Sequence, residues 1–227
     1  MRHFFPLLLT AALMLSASAA MASDNLNSDL QQWSVVTFEG PRDQKLRGYL
    51  EIQPRLKEGL TGIQRILVRP AVIYEPKKNW TVGLGYGWIT TFDQREQIDE
   101  HRIWQQLRHV KPLSRWSVEN RLRTEQRFIE KADGVTHRAR HQIRVTRKIG
   151  DSERWYLAGY NELFVNLDDP DGGSSAGYDQ NRLYLGIGRQ LSKPVRAEVG
   201  YLLNHLRVAD STDPLNHAVV LQLQVSF

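Results

Sequence analysis

Arginine and glutamate alternate with apolar residues through positions 115–149, and this spacing carries the clearest chemistry in the chain. In the first half, Glu119, Arg121, Arg123, Glu125 and Arg127 share one side of an extended strand. Trp116, Val118, Leu122 and Phe128 share the other side with Asn120, Thr124 and Gln126. In the second half, Arg138, Arg140, Gln142, Arg144, Thr146 and Lys148 oppose Ala139, Ile143, Val145 and Ile149. Arg121, Arg123, Arg127, Arg138, Arg140 and Arg144 would offer successive planar guanidinium forks, the geometry that receives carboxylates. A hairpin turning near Asp133 predicts Arg127 beside Arg138, Glu125 beside Arg140, Arg121 beside Arg144 and Leu122 beside Ile143. That register keeps both sets on their own faces. Two uses fit such a ladder: an ion-pair network that fills a closed lumen, or a basic track for a small anionic solute.

Other chemistry is weaker. Barrel phospholipases and lipid A deacylases carry a His-x-Ser pair, and none of His101, His109, His137, His141, His205 and His217 has a serine two residues on. His137 and His141 lie on one side of a strand but about 13 Å apart, too far to share a metal ion. Asp168-Asp169-Pro170-Asp171 lacks the spaced carboxylates and closing glutamate of a calcium loop. Ser174 and Ser175 fall in a glycine-rich loop tip, 172–177. Glycines at 83, 85 and 87, and at 186 and 188, precede no helix and suit inward strand positions where bulk is unwelcome. No catalytic, cofactor or metal residue is therefore named.

The elements that would hold the ladder are strands. Trp80, Val82, Leu84, Tyr86 and Trp88 alternate with Thr81, Gly83, Gly85 and Gly87. Val195, Ala197, Val199, Tyr201 and Leu203 alternate with Arg196, Glu198, Gly200 and Asn204. Further segments are expected at 33–39, 45–56, 63–75, 101–110, 115–130, 136–149, 154–166, 179–191 and 216–227, with the poorest alternation at 101–110. Connections alternate between short and long, and Trp80, Trp116 and Trp155 each follow a short turn. The three would form an aromatic girdle at one membrane interface. These are the marks of a transmembrane antiparallel up-and-down β-barrel. Eleven segments conflict with the usual even count, so twelve strands are favoured, with an extra strand in 24–32; ten follow if 33–39 is not a full strand.

Size decides which face is dry. Trp80, Tyr86, Trp88, Trp116 and Trp155 turned inward would overfill a small barrel. Facing lipid they have room, and an inward charged ladder avoids about 2–4 kcal/mol for each cation at the bilayer midplane.

The ends agree with this placement. Arg2 and His3 precede an apolar run, and Ala20-Met21-Ala22 has the form of a signal-peptidase site. Residues 1–22 read as a cleaved secretory signal and 23–227 as the barrel, placed in the outer membrane of a Gram-negative bacterium. Val219, Leu221, Leu223, Val225 and Phe227 alternate with polar neighbours, and a terminal aromatic resembles the signal read by the barrel-insertion machinery. There are no cysteines. The formal net charge is +5, and removing Arg2 with the signal leaves +4, too small an excess to argue nucleic-acid binding. The expected partners are outer-membrane lipid and lipopolysaccharide, the insertion machinery, and a small anionic solute.

Several stretches resemble the domain-of-unknown-function 2490 family of outer-membrane barrels. They are Arg102-Ile103-Trp104-Gln105-Gln106-Leu107, Arg121-Leu122-Arg123-Thr124-Glu125-Gln126-Arg127-Phe128, Tyr160-Asn161-Glu162-Leu163-Phe164-Val165-Asn166 and Asp179-Gln180-Asn181-Arg182-Leu183-Tyr184-Leu185-Gly186. The resemblance implies location and fold; it brings no substrate and no catalytic residues. The reading is an outer-membrane barrel, with a narrow channel for small anions or acidic sugars as the first function. The alternatives are a lipid-acting hydrolase with an unrecognised constellation and a closed structural or interaction barrel.

Overall fold

The computed structural model describes residues 30–57, 62–92, 96–169, 175–207 and 214–227. Residues 1–22, expected to be a secretory signal, and residues 24–29 lie outside them, as do Pro170, Asp171 and Ser174. Eleven strands occupy nearly all of the described chain: β1 (Leu30–Gly40), β2 (Leu46–Leu56), β3 (Ile63–Lys77), β4 (Trp80–Phe92), β5 (Gln97–Leu113), β6 (Trp116–Ile129), β7 (Thr136–Ile149), β8 (Trp155–Asn166), β9 (Gly177–Gln190), β10 (Val195–Leu206) and β11 (Leu215–Ser226). They form one closed barrel in chain order. Each strand pairs antiparallel with the next, and β1 closes on β11 in parallel, from Leu30 opposite His217 to Glu39 opposite Ser226.

The preference for twelve strands is thus corrected to eleven. Every alternating segment is a strand, and 33–39 lies wholly inside β1. An odd count leaves the two edges pointing the same way, so they can meet only in parallel, a pairing slightly weaker per residue.

Period-two alternation sets the two surfaces. Trp80, Tyr86, Trp88, Trp116 and Trp155 point outward and are 36% to 47% exposed, among a continuous outward set that includes Leu84, Leu122, Ile143, Leu185 and Tyr201. Inside, the buried residues are predominantly polar or charged, including Arg102, Arg123, Glu125, Arg138, Arg140 and Glu162. Globular proteins invert this arrangement; an apolar exterior around a charged interior is the pattern of strands that face hydrocarbon. The short connections gather at one rim and the longer ones at the other. Asn79 closes the tight β3–β4 turn with a left-handed φ of 69°, which asparagine tolerates.

The inward glycines have a specific role. Trp104 of β5 lies flat on β4, and a Cβ added at Gly85 would fall 2.2 Å from its ring and 2.7 Å from Ala71 Cβ. Tyr184 covers Gly186 and Gly200 in the same way. Glycine therefore lowers the wall so that an aromatic ring fits inside a narrow barrel. Gly85→Val is expected to destabilise the barrel by about 1–3 kcal/mol through overpacking. Urea titration of the micelle-folded protein reads this. Gly62→Ala, where a Cβ meets nothing within 4 Å, is the neutral control.

Candidate functional site

The ladder residues of β6 and β7 face the lumen, in a register two residues from the one expected. Glu125 lies opposite Arg138, Arg123 opposite Arg140, Arg121 opposite Gln142, Glu119 opposite Arg144, and Leu122 opposite His141. A two-residue slip preserves both faces, so alternation alone cannot choose between the registers. Cross-strand charge favours the observed one. The observed register sets two Glu–Arg pairs against one like pair, Arg123 with Arg140. The expected one set two like pairs, Arg127 with Arg138 and Arg121 with Arg144, against one Glu–Arg pair, and like charges directly opposite are destabilising.

Glu125 is the hub. Its side chain is 1% exposed, and it meets Arg138 and Arg140 at 2.6 Å each and Arg102 at 3.6 Å. Arg140 also reaches Glu162 at 2.6 Å, and Glu162 receives Arg121 at 2.8 Å. Glu100 receives both Arg102 and Arg127 at 2.6 Å. Arg144 crosses the lumen to Glu198 of β10 at 2.5 Å, and Glu119 pairs with Arg108 at 2.7 Å.

Two cavities divide the lumen. One of ≈ 290 Å³ is lined by eight arginines and five glutamates. The other, of ≈ 250 Å³, is lined by eight arginines, one glutamate and one aspartate. Trp33, Arg69, Arg140 and Arg182 line both and form the waist between them. Arg55 lies 3.6 Å from the centre of the Trp33 ring and Arg182 lies 5.0 Å from it. Arg182 and Arg140 in turn lie over Phe164 at 4.5 and 4.4 Å. The waist is thus a stack of guanidinium groups and aromatic rings, drawn from strands remote in sequence.

Some of these arginines have carboxylate partners and others have none. Among the described residues Arg55, Arg123 and Arg182 meet no carboxylate within salt-bridge distance. Arg123 donates to Gln106 at 2.7 and 3.1 Å and lies 4.1 Å from the Trp104 ring centre. Arg182 donates to Asn204 and Gln180 at 3.3 and 3.2 Å. Among the described residues Arg55 donates to Gln53 alone, at 3.4 Å, and its Nε–H meets no acceptor. A buried guanidinium without a counter-charge is costly, and an entering anion relieves that cost. Trp33, Arg55, Phe164 and Arg182 are not among the residues picked out by the ladder. Gln53 with Arg55, and Gln180 with Arg182, carried the inward-face signal that could have found the two arginines.

The histidines singled out as possible ligands have other partners. His137 Nδ1 pairs with Asp168 at 2.5 Å, and His141 Nε2 with Asn120 at 2.8 Å. Burial pushes the pKa of Asp168 up, but the backbone and ring hydrogen bonds from His137 outweigh it and hold the carboxyl below its usual range. Trp80, Trp116 and Trp155 stand at the short-turn rim. Phe227 packs across Gly40 of β1, and its carbonyl accepts from Arg42 N at 2.6 Å.

The model of a family described as "Protein of unknown function (DUF2490)" matches residues 30–214, from the first strand to the edge of the last. The chain belongs to the DUF2490 family. An uncharacterised protein of Methylorubrum extorquens strain AM1 is 30% identical to this DUF2490 protein over 223 residues, covering 97% of each. The solved structure of the NanC porin in a rhombohedral crystal form superposes with a TM-score of 0.53, covering 88% of this chain and 98% of the porin. At 12% identity that likeness is one of fold: a porin-like β-barrel.

Proposed function

We propose that this DUF2490 barrel lies in the outer membrane of a Gram-negative bacterium and passes small anionic solutes through its arginine-lined lumen. The observation that carries the reading is the set of guanidiniums at Arg55 and Arg123, both buried, and Arg182, half-buried, that face the cavities without carboxylate partners among the described residues. A net positive lumen concentrates anions, and successive guanidinium forks hand a carboxylate from one chamber to the next. The ≈ 290 Å³ chamber is also lined by Tyr156 and Tyr160, beside Arg196 and Arg144, which suits a solute with a hydroxylated or ring-shaped body, such as an acidic sugar. The apolar exterior and the likeness to a porin support the membrane placement.

Planar-bilayer recording tests the channel. Purified protein is expected to give a small, anion-selective conductance. The combined variant Arg55→Gln, Arg123→Gln, Arg182→Gln is expected to move the reversal potential toward that of an unselective pore. Absence of conductance, or unchanged selectivity in the variant, overturns the reading. The ion-pair network and the stacked waist favour one rival, a closed structural barrel, which would stay silent in the same recording.

A further inference from the structure

The short-turn rim carries a motif that the lumen does not explain. Each girdle tryptophan sits directly opposite a basic side chain on the following strand: Trp80 opposite His109, Trp116 opposite Arg147 and Trp155 opposite Arg189. In each pair the two groups touch. His109 stacks on Trp80 with ring centres 4.3 Å apart, Arg147 lies 5.1 Å from the centre of the Trp116 ring, and Arg189 lies 5.0 Å from that of Trp155. The stations recur every second strand, roughly 10 Å apart along the rim by the inter-strand spacing. Neither Arg147 nor Arg189 meets a carboxylate among the described residues. Their neighbours at the same rim do: Lys148 and Arg115 both turn to Glu153, at 3.0 and 3.7 Å.

The opposite rim has different chemistry. Toward it, outward tyrosine hydroxyls bond to histidine Nδ1 in the pairs Tyr86–His101, Tyr201–His217 and Tyr178–His205, and Trp88 and Phe128 flank His101 on the neighbouring strands.

We infer that the three stations of the short-turn rim each bind the phosphate of a glycerophospholipid headgroup. This rests on the membrane placement proposed above and not on conduction. The indole lies at headgroup depth and holds the basic side chain against its face. At Arg147 and Arg189 the guanidinium fork keeps N–H donors free for phosphate oxygens, which it receives in bidentate fashion, and at His109 the imidazole offers a single N–H to the same group. The apolar exterior above the rim takes the acyl chains. A lipid headgroup thus supplies the counter-charge that the protein withholds at these positions.

Native mass spectrometry of protein folded into phosphatidylglycerol liposomes and released in mild detergent tests this. Wild type is expected to retain up to three phospholipids. The triple variant His109→Gln, Arg147→Gln, Arg189→Gln is expected to retain at least threefold less, and Arg147→Gln alone one fewer than wild type. Lys148→Gln, whose partner is Glu153, should match wild type. In a parallel arm, a galactolipid without phosphate should not be retained, and inorganic phosphate should not strip the bound lipid. Equal retention by wild type and triple variant, or equal retention of galactolipid, overturns the inference while leaving the membrane placement intact. Displacement of lipid by inorganic phosphate at matched concentration overturns the lipid as occupant. Failure of the wild type to give a heat-modifiable folded species in liposomes overturns both readings.

Discussion

Glu125→Ala is expected to cost the barrel about 3–5 kcal/mol, because it leaves buried guanidiniums without their shared counter-charge. Glu125 holds Arg138 and Arg140 at 2.6 Å and Arg102 at 3.6 Å, and it is the most enclosed charge in the lumen. Arg102 keeps Glu100 and Arg140 keeps Glu162, so Arg138 suffers most, retaining only Asp179 at 3.0 Å. The effect should therefore be coupled. Removing Arg138 together with Glu125 should restore part of the lost stability, and the double-mutant cycle should give a coupling above about 1 kcal/mol. Urea unfolding in micelles, followed by gel mobility, reads all three variants. A loss below about 1 kcal/mol for Glu125→Ala would mean that water reaches the cluster and screens it.

The second large effect is expected at the waist. Trp33 is 3% exposed and is the plate on which Arg55 and Arg182 rest. Trp33→Ala merges the cavities of ≈ 290 and ≈ 250 Å³ and frees both guanidiniums. Single-channel conductance should rise several-fold while the preference for anions persists, since every arginine remains. The substitution also carries a packing cost of about 3–5 kcal/mol, so the folded fraction must be measured alongside. Equal conductance in wild type and variant would place the restriction elsewhere in the lumen.

Strands were legible because bulky residues outside alternate with charge or glycine inside. Trp80 to Trp88 shows this most plainly, and the charged sequence of β6 and β7 shows it again. Closure was not legible, because alternation says which face a strand presents and nothing about which strand its edge will meet. The parallel β1–β11 pair therefore lay beyond local pattern, and the even-count habit of such barrels pointed to twelve. Register between β6 and β7 was ambiguous for a related reason, since a slip of two residues changes no face. Trp104 fell where apolar residues are adjacent, at Ile103-Trp104, so its inward turn over Gly83 and Gly85 could not be read from periodicity. The waist was hidden more deeply. Arg55, Trp33, Arg182 and Phe164 come from β2, β1, β9 and β8, and only the closed barrel brings them together.

The parallel junction between β1 and β11 constrains how this architecture can change size. Adding or deleting a whole hairpin alters the strand total by two, so an odd barrel stays odd and keeps one like-directed junction through every such step. Only gain or loss of a lone strand reverses that parity, and it must also carry one end of the chain to the other side of the wall.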